Sequence, residues 1–195
     1  HDVVMAPWDK LYLDYLQTMS PAEEPGRPTQ VTLETVYAFE PVPAVLDAKQ
    51  AKHILGLQAN VWTEHMRSFK RVQHAVFPRI AAVAESGWSP REGKDYADFL
   101  QRLPAMLPRW NAIGITPAST PFQPLIDANA DAGGKVRVEL SQPLGYAIRY
   151  TTDGSAPNAS STLYAGPVSL PMPVDVQAQA FAGEQALAPV VRREF

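Results

Sequence analysis

The sequence predicts an α/β front built like part of a β/α barrel, followed by a small all-β sandwich-like module. Three observations predict it. Short apolar runs alternate with helical stretches through residues 1–115. A proline-rich stretch occupies 116–123, and residues 124–195 repeatedly alternate apolar with polar side chains. With 195 residues, the chain has room for one large domain or for a medium domain and a small one.

Asp2 to Ala6 reads as a short buried strand ended by Pro7, which lacks a backbone donor. Tyr12 to Met19 reads as loop or a short helical piece, and Ser20 to Gln30 (SPAEEPGRPTQ) as loop. Leu46 to His53 has helical composition. Ile54 to Val61 (ILGLQANV) suits a buried parallel strand. Ser68 to Ser86 reads as helix, with a break or fresh start at Pro78. Asp95 to Ile113 is a further helix, in which Phe99, Leu103, Met106, Leu107 and Trp110 recur at helical spacing. Pro104 and Pro108 are expected to bend or split it. The strand candidates are far fewer than a closed barrel needs, so the front reads as a partial domain. The chain also begins at His1, almost inside its first strand, which reads as the interior of a larger protein.

Beyond the proline-rich stretch, Val136, Val138 and Leu140 alternate with polar residues. Ile148 with Tyr150, and Val174 through Ala180, do the same. Asp153-Gly154 signals a hairpin turn. Tyr146, Tyr150, Tyr164 and Phe181 read as strand packing.

Composition narrows the function classes. The formal charge is −3 and no Lys/Arg block occurs, so nothing points to nucleic acid. No apolar run is long enough for a membrane span. Cysteine is absent, which removes disulfides, thiol catalysis and Cys-based zinc sites. His53, His65 and His74 have no metal-ligand spacing, and no phosphate loop or serine elbow exists, so neither metal nor cofactor is expected.

Two doublets follow apolar strands. Tyr12 and Asp14 flank Leu13, and at i and i+2 of an extended segment they point the same way. A phenol there can donate to a ligand carbonyl and a carboxylate can accept from a hydroxyl. Equally, Tyr12 can pack on the fold while Asp14 caps Leu16 or Gln17. Trp62 and Glu64 flank Thr63 after the second strand. An indole face suits the hydrogen-bearing face of a pyranose and a carboxylate takes its hydroxyls. The alternative is a core tryptophan beside a surface glutamate. Trp88 reads as packing, and Arg79 and Glu85 as structural.

Four segments in order, MAPWDKLYLDY (5–15), ETVYAFEPVP (34–43), HILGLQANVWTE (53–64) and FPRIAAVAESGWSP (77–90), resemble family 20 glycoside hydrolases, the β-N-acetylhexosaminidases and chitobiases. IRYTTDGSAPNASSTLYAGPV (148–168) is similar to the β module that often ends these enzymes. The resemblance implies the C-terminal part of a (β/α)8 TIM barrel over 1–115, a linker over 116–123 and the module over 124–195. It implies that Tyr12 is catalytic, holding the substrate's acetamido carbonyl, and that Asp14, Trp62 and Glu64 bind the sugar. The implied partners are an N-acetylhexosamine-containing oligosaccharide and the missing N-terminal part of the barrel. The implied location is periplasmic or secreted. The family's Asp-Glu pair is absent, since no Asp-Glu dipeptide occurs and Glu23-Glu24 is the nearest lookalike. The family's tryptophan between the two doublets is absent too, with Tyr37 or Phe39 as possible substitutes. The segment is therefore expected to be inactive alone. A non-catalytic carbohydrate-binding unit and an inactive family member are the alternatives.

Overall fold

The computed structural model describes residues 1–195, the side chain of Asp131 excepted. It divides into two units, His1–Ala118 and Ser119–Phe195. The first unit runs β1 (Val3–Met5), α1 (Trp8–Leu11), β2 (Tyr15–Leu16), β3 (Arg27–Gln30), α2 (Leu33–Tyr37), α3 (Ala48–Ala51), β4 (Ile54–Leu57), α4 (Phe69–Val76), α5 (Arg79–Trp88), α6 (Tyr96–Arg102) and α7 (Met106–Ala112).

β1 pairs in parallel with β4, Val3 opposite Ile54 and Met5 opposite Leu57. The helices between them form the crossover that parallel strands require. Asp47 opens α3 with a capping box, accepting from Lys49 and Gln50 while Gln50 reaches back to the Asp47 N–H. The two strands are less buried than their apolar sequences suggest. Val3 is 42% exposed, Val4 50% and Leu55 65%, because two strands give each apolar side chain at most one covered side.

The stretch read as loop over 20–30 contains β3, which pairs in parallel with β2 through Tyr15 opposite Arg27. Pro28 hides it in the sequence, since a strand bonded along one side tolerates a residue without an N–H. α2 was not expected at all. Thr32 caps it by accepting from the Thr35 N–H, and it buries Leu33, Val36 and Tyr37. It packs on α5. Five residues are too few to show a helical period.

The expected break at Pro78 separates α4 from α5. A 3₁₀ turn at Leu103–Ala105 splits α6 from α7 around Pro104. Pro108 breaks nothing, because it lies in the first turn of α7, where a missing N–H costs no helical bond. Trp88, expected to pack, is 88% exposed at the end of α5.

The second unit holds β5 (Leu125–Asp131), β6 (Lys135–Ser141), β7 (Ala147–Thr151), β8 (Thr162–Leu163), β9 (Val168–Pro171), β10 (Asp175–Ala182), β11 (Gln185–Ala186) and β12 (Val191–Glu194). One sheet has the order β5-β6-β9, and the other β11-β10-β7-β8 with β12 also on β10. Ile126, Val136, Val138 and Leu140 from the first meet Ile148, Val176 and Ala178 from the second in one core. Tyr150 of β7 and Tyr164, just past β8, pack against it. Asp153-Gly154 is not a two-residue hairpin turn, since β7 pairs with β8, ten residues further on. Asp153 instead folds its carboxylate onto Ser155. The tight reversals lie at Gly133-Gly134, with φ of 71° and 73°, and at Gly183-Glu184 between β10 and β11.

Candidate functional site

Backbone pairing brings the two doublets side by side. Beyond α1 on one side and β4 on the other, the two segments meet again in a parallel bridge of Tyr12 with Asn60. The Leu13 N–H donates to the Asn60 carbonyl at 2.8 Å, and the Asn60 N–H to that of Leu11 at 2.9 Å. Tyr12-Leu13-Asp14 therefore lies beside the segment that runs into Trp62 and Glu64, although fifty residues separate Asp14 from Glu64. Leu13 and Asp14 both turn inward, at 1% and 4% exposure, while Tyr12 stays partly open.

The ring of Tyr12 lies 6.0 Å from that of Trp62 and 6.4 Å from that of Tyr15, which is 5.9 Å from Trp8. Trp62 is half exposed and offers a free indole face. Asp14 is 4% exposed. With Trp62, Gly26, Arg27 and His65 it lines a recess of about 10 Å³, close to the least that holds one water. The recess is too small for a pyranose, and neither Tyr12 nor Glu64 lines it. A larger hollow of about 550 Å³ lies along α5, α6 and α7 and includes none of these residues.

Arg27 ties the acids together. Its Nε is 2.8 Å from Asp14 Oδ2, and its Nη2 donates to Glu64 Oε1 at 2.5 Å. The first contact is an ion pair without hydrogen-bond alignment, so both Asp14 oxygens lack a donor among the described residues. The carboxyl of Glu64 is held below the ordinary glutamate value, first by its own backbone N–H and then by Arg27. Glu64 in turn raises the pKa of Arg27.

Arg79, fully buried at the start of α5, holds the loops beneath the site. It donates to the carbonyls of Val31 at 2.6 Å, Tyr15 at 3.1 Å and Leu13 at 2.5 Å, and to that of Ala75. Burial pushes its pKa down to about 9, which leaves it charged at neutral pH. Glu23, the acidic lookalike in the loop, is structural. It accepts from Thr18 and contacts His74 Nε2 at 2.5 Å. Tyr37 does not stand in for the missing tryptophan. It is 4% exposed and packs on Tyr96 and Phe99, with its hydroxyl toward Glu85.

Sequence reasoning passed over Arg27 and Tyr15. The only signal was a lone cation inside an acidic proline loop. Among the described residues no group of three His, Cys, Asp or Glu could hold a metal, and no helix is long and apolar enough to cross a membrane.

Parallel strands joined through helices, with aromatic rings and carboxylates on the segments that follow them, fit the class of β/α proteins, whose sites lie beyond the strand ends. The class can be narrowed. Residues 1–91 match glycosyl hydrolase family 20, catalytic domain, and residues 129–191 match the chitobiase/beta-hexosaminidase C-terminal domain. Over residues 1–91 and 129–191 the chain is therefore similar to the catalytic and C-terminal domains of family 20 enzymes. It is 35% identical over 173 residues to the beta-hexosaminidase of Porphyromonas gingivalis, covering 86% of this chain and 22% of that protein. It is 28% identical over 112 residues to the beta-N-acetylhexosaminidase of Cellulomonas fimi, covering 57% and 22%. The solved family 20 β-N-acetylhexosaminidase of Streptomyces coelicolor superposes with TM-score 0.54 at 30% identity, over 62% of this chain and 24% of that one. The exo β-N-acetylglucosaminidase of Vibrio harveyi, solved in complex with N-acetylglucosamine, gives 0.55 at 34%, over 60% and 18%. The chain thus spans between 18% and 24% of the length of these relatives.

Proposed function

We propose that this chain is the C-terminal part of a retaining, substrate-assisted β-N-acetylhexosaminidase that removes terminal N-acetylhexosamine residues from oligosaccharides. β1 and β4 are then neighbouring late strands of a (β/α)8 barrel. Upstream strands of that barrel complete the pocket and supply the Asp-Glu pair that this sequence lacks. A periplasmic or secreted location belongs to the same proposal. The observation that supports it best is the pairing of Tyr12 with Asn60, which brings the segment of Tyr12 and Asp14 beside the one that leads to Trp62 and Glu64.

Each residue has a role that its chemistry allows. Trp62 walls the pocket against the sugar face. Asp14 and Glu64 accept from ring hydroxyls, which they do well as ionised acceptors. The Tyr12 hydroxyl donates to the acetamido carbonyl of the substrate. That carbonyl oxygen attacks the anomeric carbon as the glycosidic bond breaks, and an acid of the upstream pair protonates the leaving oxygen. Positive charge develops on the resulting oxazoline-like ring while the carbonyl stays in line. A positioned donor of this kind contributes about 2–4 kcal/mol to lowering the barrier.

The test uses an aryl N-acetyl-β-glucosaminide with this chain alone, with the longer enzyme, and with its Tyr12→Phe variant. The chain alone releases no chromophore, because it has no acid pair. The longer enzyme turns over, and Tyr12→Phe lowers kcat more than it raises KM. A variant that raises KM alone removes the mechanistic role of Tyr12. An inert longer enzyme favours the non-catalytic readings.

A further inference from the structure

The first residue of β3 is a cation with no role in the chemistry above. Arg27 is placed there by the backbone. Its residue pairs with Tyr15 across the two strands, and its N–H reaches the Asp14 carbonyl at 3.4 Å. Just before it, the Pro25 carbonyl accepts from Arg71 Nη2 at 2.7 Å. Gly26 is wedged so closely that an added Cβ would meet the Asp14 carbonyl, Leu16 and Arg71 at 3.2 Å. The guanidinium rests 6.0 Å from the centre of the Tyr15 ring. A loop so fixed directs the side chain to one place.

In that place the fork of the guanidinium touches two acids at once, Nε on Asp14 Oδ2 and Nη2 on Glu64 Oε1. Asp14 is the unusual partner. It is 4% exposed, and neither oxygen has a hydrogen-bond donor among the described residues. A buried carboxylate in that condition is costly unless a donor arrives. Two nearby carboxylates also repel unless a cation stands between them.

We infer that Arg27 is a positioning residue that locks Asp14 and Glu64 into one hydroxyl-binding unit, through an ion pair to Oδ2 of Asp14 and a hydrogen bond to Oε1 of Glu64. The inference rests on the hexosaminidase reading and adds to it. Arg27 touches no reacting atom. It sets the spacing of the two acids and so couples recognition of one hydroxyl to recognition of the other.

The experiment measures kcat and KM in the longer enzyme with an aryl N-acetyl-β-glucosaminide and with its 4-deoxy and 6-deoxy analogues. In the wild type each missing hydroxyl lowers kcat/KM. Arg27→Met is expected to raise KM about 10- to 100-fold with much less change in kcat, since the ion pair to Asp14 and the charged hydrogen bond to Glu64 are lost together. The penalties for the 4-deoxy and 6-deoxy sugars are expected to shrink together. Arg27→Lys keeps the charge and loses the fork, so its KM lies between the two while both penalties still shrink. Where Arg27→Met does not fold, Arg27→Lys decides. An unchanged KM overturns the inference, and so does a raised KM with both deoxy penalties intact, which would make Arg27 only a loop anchor. A wild type that fails to hydrolyse the parent sugar sinks the hexosaminidase reading and this inference with it.

Discussion

The two units keep their order by different means. In the β module, alternation is enough. Val136, Val138 and Leu140 on β6 point one way, and the opposing sheet returns Ile148, Val176 and Ala178. The ladders between strands satisfy the backbone, so the core can be wholly apolar. In the first unit, buried leucines and valines share the interior with Asp14, Gln17, Gln73 and Arg79. There the chain between short strands is loop, and a loop offers carbonyls that no ladder reaches. Arg79 serves those of Leu13, Tyr15 and Val31, and Gln17 serves those of His74 and Phe77. Polar burial marks where loops are being held, and the loops held here carry the candidate site.

The contrast can be broken at its largest point by Arg79→Met. Several buried carbonyls would lose their donor at once, and a destabilisation of about 3–5 kcal/mol is expected. All four tryptophans precede residue 119, so tryptophan fluorescence during urea unfolding reports the first unit. An unchanged midpoint would show that the hub holds nothing.

Val138→Ala should cost less, about 2 kcal/mol, as a fully buried apolar side chain shortened on a central strand. The loss should show in the β-sheet circular dichroism and leave the tryptophan transition where it was. A matching shift in fluorescence would mean that the two units do not unfold separately.

The smallest effect is a pH dependence. Glu64 has a carboxyl held below its usual 4.5, so the folded state favours the ionised form. Its contact with Arg27 is therefore complete above that pH and is lost as pH falls through the lowered value. A carboxyl carbon titration by NMR should place the Glu64 midpoint under 4.5. A midpoint at or above it would leave the Arg27 bridge without electrostatic consequence.

Much of the layout was legible in the residues. Apolar runs located β1 and β4, proline chemistry located the breaks at Pro78 and Pro104, and period-two alternation located β6, β7 and β10. The illegible parts were short or disguised. α2 is shorter than two turns, and β3 contains Pro28. Asp153-Gly154 turned out to shape a long connection, because a turn dipeptide fixes local backbone but not which strands then pair.

The sequence by itself determined the two doublets of candidate side chains, Tyr12 with Asp14 and Trp62 with Glu64, each spaced by two. Tertiary structure alone decided that the two doublets stand together, through the parallel register of Tyr12 with Asn60. It alone put Arg27 between their carboxylates. Local spacing acts over a few bonds, whereas register and ion pairing depend on which distant backbone groups meet, and no run of neighbouring residues encodes that meeting.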